Sequence, residues 1–144
     1  MFLFSCSQPE KNYRFIHKKD TGVTFTNELT KSAELNILNY LYYYNGAGVA
    51  TGDFNNDGLV DIYFASNLNQ DHLYLNLDNL KFQNITTASG INNNSGWTTG
   101  VTTVDINNDG YLDIYVSKVS GHLHLKGSNL LYINQGLTDG IPTF

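Results

Sequence analysis

Two nine-residue stretches set oxygen-bearing side chains at alternate positions. Asp53-Phe54-Asn55-Asn56-Asp57-Gly58-Leu59-Val60-Asp61 and Asp105-Ile106-Asn107-Asn108-Asp109-Gly110-Tyr111-Leu112-Asp113 both read Asp-x-Asn-x-Asp-Gly-x-x-Asp. In a tight loop alternate residues turn inward, so Asp53, Asn55, Asp57 and Asp61 would aim oxygens at one point, as would Asp105, Asn107, Asp109 and Asp113. The backbone carbonyls of Leu59 and Tyr111, at the seventh position, would add one oxygen to each set. Gly58 and Gly110 stand where the loop reverses and a positive φ is needed. Oxygen ligands with no His or Cys at metal spacing suit Ca2+, which takes six to eight oxygens at about 2.3–2.6 Å, rather than zinc or copper. Mg2+ fits less well because it tends to keep its waters. Two Ca2+ sites are therefore expected.

A lone Asp-Gly is most often only a hairpin turn. Here the five-position pattern occurs twice, at equivalent places. Three carboxylates about 4 Å apart would also repel by roughly 4 kcal/mol per pair at an effective dielectric near 20, which a cation would relieve. The loops begin like an EF-hand, but an EF-hand places Glu at position twelve between helices. Position twelve is Phe64 in one loop and Val116 in the other, both in strand-like runs, so the EF-hand reading fails.

The loops must be held by something, and self-comparison shows what. Residues 48–63 recur as residues 100–115, a shift of 52. Downstream, His72-Leu73-Tyr74-Leu75-Asn76 is echoed by Asn129-Leu130-Leu131-Tyr132-Ile133-Asn134, with a longer intervening loop around Ser120 to Lys126. Upstream, Phe15 and Gly22-Val23 partly match Phe82 and Gly90-Ile91. Within a unit, Val49 to Asp53, Leu59 to Ala65, His72 to Asn76 and Phe82 to Thr86 are short β-branched, aromatic and aliphatic runs divided by Asn, Asp and Gly. Four strands per repeat of about fifty residues is the period of a propeller blade or another radial β array. An ion in each loop would tie two strands of one blade, since Asp61 and Asp113 open the outgoing strand. Leu35 to Tyr44 could stripe a helix, but Tyr42-Tyr43-Tyr44 before Asn45-Gly46 favours a strand entering a turn.

The repeat, with its Gly-Val-x-x-x-Asp-x-Asn-x-Asp-Gly-x-x-Asp-Ile-Tyr phrase, resembles the FG-GAP/VCBS repeat of integrin-alpha-like β-propellers. Residues 45–53 and Gly96-Trp97 ahead of the second copy make it most similar to the ASPIC/UnbV-type repeat proteins of bacteria. The resemblance implies an all-β fold, a partial β-propeller of about two to three blades of a usual seven, with Ca2+-binding hairpin loops. It places β-propeller repeats over residues 13–144, with repeat cores at about 46–91 and 98–144. It also implies an extracytoplasmic location and an adhesion or glycan/protein-binding role. At about fifty residues per blade, 144 residues cannot close a seven-bladed ring, so an N-terminal fragment of a longer protein is expected.

Composition agrees with an ordered β protein. Nineteen Asn and thirteen Gly against three Glu and one Met is turn-rich and helix-poor usage. The net charge is −5, and five of the eight basic residues precede position 32, so a nucleic-acid groove is not expected. No apolar run reaches the roughly eighteen residues of a membrane helix. Residues 1–6 read as a truncated signal: Leu3-Phe4-Ser5-Cys6 resembles a bacterial lipobox ending on the single Cys, and residues 7–12 as a polar linker. The plainer alternative is a frayed end with an idle thiol at Cys6. A lipid on Cys6 would supply the only membrane contact and fit a cell-surface or outer-membrane lipoprotein, or else a secreted protein.

No catalytic constellation appears, and a non-enzyme is expected. The alternative is a non-catalytic fragment of a polysaccharide-active propeller enzyme. His122 and His124 alternate as either a weak surface metal pair or a solvated pair. Trp97 and Tyr42 to Tyr44 could stack on sugars, though blade packing is the commoner use of such aromatics.

Overall fold

The computed structural model describes residues 14–93 and 95–144. Cys6, the lipobox-like segment and the polar linker lie outside the described residues. After one short helix, α1 (Lys18–Thr21), every further element is a strand. β1 (Val49–Gly52), β2 (Asp61–Phe64), β3 (His72–Asn76) and β4 (Phe82–Asn84) form an antiparallel sheet in chain order. β5 (Trp97–Val104), β6 (Asp113–Val119) and β7 (Leu130–Tyr132) form a second. β8 (Leu137–Thr138) and β9 (Ile141–Pro142) make a closing hairpin. The strands fall where the β-branched and aromatic runs predict, with one or two residues trimmed at their ends. Among the described residues the sheets do not close into a ring.

Both acidic loops are hairpin connections in matching register. Gly52 pairs with Asp61 across the first, and Val104 with Asp113 across the second. The second sheet packs against the first through one core: Phe54, Tyr63, Ala65, Leu73, Leu75, Ile85 and Ile91 meet Ile114 and Val116. Gly48 lets β1 and β5 approach, because a Cβ there would lie 2.7 Å from the amide nitrogen of Val101.

Residues 35–44 are not a strand. Their backbone bonds close locally instead: Tyr40 N–H donates to Asn36 O (2.9 Å), Tyr43 N–H to Tyr40 O (3.0 Å) and Asn45 N–H to Tyr42 O (3.1 Å). The Ser32 hydroxyl accepts from Leu35 N–H at 2.8 Å, and Asn36 Oδ1 from Leu38 N–H at 2.9 Å. Side chains that bond their own backbone offer an alternative to a ladder, and here they win. These turns deliver Tyr40 and Tyr43 onto the buried Trp97 in a second small core, with ring centroids 5.2 and 5.5 Å away.

Candidate metal-binding loops

Each loop is shaped by its own side chains. In the first, Asp53 Oδ1 accepts from Asp57 N–H (3.0 Å) and Oδ2 from Gly58 N–H (2.8 Å), while Asp57 Oδ1 accepts from Leu59 N–H (2.8 Å). The second repeats this from Asp105 to Asp109 N–H (3.1 Å) and Gly110 N–H (2.9 Å), and from Asp109 to Tyr111 N–H (2.9 Å). Asn55 Nδ2 donates to Asp57 Oδ2 (2.9 Å) and Asn107 Nδ2 to Asp109 Oδ2 (2.7 Å). The backbone reverses at two left-handed positions per loop, Asn56 (φ 57°) with Gly58 (86°), and Asn108 (59°) with Gly110 (89°). Gly takes that region freely and Asn tolerates it.

The ninth-position acids sit behind the turns, fully buried. Asp61 Oδ2 accepts from Phe54 N–H (3.0 Å) and Oδ1 from Asn76 N–H (2.8 Å). Asp113 does the same with Ile106 N–H (2.9 Å) and Asn134 N–H (2.8 Å). Asp61 thus bolts its loop to the last residue of β3, and Asp113 bolts its loop to the segment just past β7. Burial pushes the Asp61 carboxyl up to about 6 against the pull of those two amides, and the Asp57 and Asp53 charges push the same way. Among the described residues no three His, Cys, Asp or Glu side chains gather into a ready metal-binding group. A cation would therefore draw on the amide oxygen of Asn55 or Asn107 and the carbonyl of Leu59 or Tyr111 besides the carboxylates. The donor chemistry fits: each carboxylate oxygen engaged by one N–H keeps a second lone pair, and every donor is a hard oxygen.

Two residues that sequence reasoning passed over complete these loops. Asn76 Nδ2 donates to Val60 O (2.9 Å), and Asn134 Nδ2 to Leu112 O (3.3 Å) and Phe54 O (2.9 Å). The signal was present, since Tyr74-Leu75-Asn76 and Tyr132-Ile133-Asn134 stand at equivalent places in the two repeats.

The remaining polar residues go elsewhere. His17 caps α1 through Lys19 N–H (3.3 Å), and His122 lies against the Tyr40 ring at 5.3 Å. His72 lies between Phe25 and Tyr74, and burial lowers its pKa. Asp71 is buried, accepting from Tyr63 O–H (2.7 Å), Ser66 N–H (2.7 Å) and the Asn93 amide. A cleft of about 820 Å³ opens beside the second core, lined by Tyr40, Tyr42, Trp97, Asn39, Asn45 and His122. Trp97 and Tyr43 are packed away, whereas Tyr42 and Tyr44 are exposed.

Stacked antiparallel sheets whose first hairpins carry acidic Asp-x-Asn-x-Asp-Gly turns define an all-β repeat protein. Residues 53–116, which span both loops, match the FG-GAP-like repeat family. No curated protein matches the chain.

Proposed function

We propose that this chain is a calcium-binding repeat module of an integrin-alpha-like β-propeller, of the ASPIC/UnbV type, displayed outside the cytoplasm. Its role is to present a surface for adhesion or for a glycan or protein ligand, without catalysis of its own. The observation that carries the calcium reading is the repetition: two loops 52 residues apart hold the same oxygens in the same hydrogen-bond pattern. Asp53, Asn55, Asp57, Asp61 and the Leu59 carbonyl would hold one ion, and Asp105, Asn107, Asp109, Asp113 and the Tyr111 carbonyl the other. Bound calcium would offset the crowded carboxylate charge and brace the hairpins. The FG-GAP-like repeat supports the surface role, and the cleft beside Tyr42 is where a small ligand would fit. The lipobox-like Cys6 supports an anchor at the outer surface.

Thermal melts in calcium and in chelator test the metal. At about a hundred times Kd each ion adds roughly 2.7 kcal/mol, so calcium should raise Tm by several degrees. Asp57→Ala and Asp109→Ala should each remove one site in calorimetry, and the double variant both. Identical melts in calcium and chelator would sink the assignment. Glycan-array binding with and without calcium then tests the surface role.

A further inference from the structure

We infer that the two loops bind calcium cooperatively, with Asn134 as the positioning residue that couples them; this rests on the calcium reading above. Its backbone N–H donates to Asp113 Oδ1 at 2.8 Å, fixing the ninth-position acid of the second loop. Its side-chain Nδ2 crosses to the first loop and donates to Phe54 O at 2.9 Å. Phe54 N–H in turn donates to Asp61 Oδ2 at 3.0 Å, so one continuous path joins the two ninth-position acids. Asn134 is almost wholly buried, and the path runs where water does not compete. The contrast with Asn76 isolates this function. Asn76 holds Asp61 by its N–H and Val60 O by its amide, and both partners belong to its own loop. Of these two equivalent amides, that of Asn134 reaches across to the other loop.

A second contact runs in parallel at the tips. Asn56 Nδ2 donates to Gly110 O at 3.1 Å, one residue before the Tyr111 carbonyl that the second ion would use. An ion in either loop freezes its acids and, through these contacts, orders part of the other loop. The second ion then loses less conformational freedom on binding. Repulsion between the two ions opposes this, but salt screens it across solvent-exposed loop tips.

The test is calcium titration of the intact chain, read site by site by NMR from the amide resonances of Gly58 and Gly110. Asp109→Ala should weaken the first site about fivefold or more, and Asp57→Ala should weaken the second by the same factor, because binding linkage is reciprocal. In Asn134→Ala that factor should fall toward one while both loops still take up calcium; Asn134→Ser serves if the alanine variant does not fold. Asn56→Gly, which keeps the left-handed backbone, should reduce the factor in part. First-site affinity unchanged by Asp109→Ala, or coupling undiminished in the Asn134 variants, overturns the proposal while leaving the calcium reading intact. No uptake at either loop overturns the calcium reading itself, and the proposal with it.

Discussion

The two repeats share their loops almost atom for atom, yet the same positions meet opposite fates. Phe54, Tyr63 and Leu73 of the first repeat are 0% exposed; their counterparts Ile106, Tyr115 and Leu131 are 58%, 37% and 45% exposed. The reason is the neighbour. The second sheet lies on the first and brings Leu112, Ile114 and Val116 against that face. Local geometry is therefore set within nine residues by Asp, Asn and Gly, whereas burial is conferred by the next sheet. Loop shape and loop environment separate cleanly in this chain.

The sharpest way to break that separation is to truncate the paired apolar residues. Phe54→Ala should cost about 3–5 kcal/mol in urea unfolding, because it empties a packed inter-sheet site against Phe144. Ile106→Ala, at the same loop position, should cost within about 1 kcal/mol. Equal losses would mean that the loop itself, and not the second sheet, sets the energetics.

A smaller effect should be shared by both repeats. Asp61 and Asp113 each satisfy one fully buried backbone N–H and one half-buried one, so Asp61→Ala and Asp113→Ala should destabilise alike in chelator. The loss is about 1–3 kcal/mol, the cost of one orphaned buried donor. Losses that differ severalfold would show that the neighbouring sheet reaches into the carboxylate after all.

Much of this was legible in the sequence because it is local and repeated. The 52-residue shift, the strand runs and the two reversals at Gly58 and Gly110 follow from residue types that act on their own backbone. Leu35 to Tyr44 was misread because three tyrosines carry strand propensity, while Ser32, Asn36 and Asn39 form the turns that decide the path. Asp61 and Asp113 read as ligands alone, since no spacing shows that their partners are the amides of Asn76 and Asn134, 15 and 21 residues away. The match over residues 53–116 supports the repeat read from the 52-residue shift.

The smallest expected effect comes from a network that both repeats build with different chemistry. In the first, Asp71 accepts from Tyr63 O–H at 2.7 Å and Ser66 N–H at 2.7 Å. In the second, Asn129 takes the same place: Oδ1 accepts from Lys118 N–H at 2.9 Å and Nδ2 donates to Tyr115 Oη at 2.8 Å. The buried copy carries the charge and the exposed copy does not. Burial pushes the Asp71 carboxyl above its ordinary value, against the pull of Ser66, Tyr63 and Asn93. For an acid whose pKa rises on folding, the stabilising contribution is fully present below the unfolded value and is lost as pH rises through the folded one. Asp71→Asn should therefore fold with a change within about 1 kcal/mol at neutral pH, with the Tyr63 hydroxyl and the Asn93 amide oxygen, otherwise unpartnered among the described residues, both turning to accept. Wild type should gain on the variant as pH falls below the raised value, read as the difference between their urea midpoints across an acid-to-neutral series. A difference that does not vary with pH, or a variant that loses more than about 3 kcal/mol at neutral pH, would show that the first repeat depends on the charge itself. The neutral network of the second repeat would then be no guide to the first.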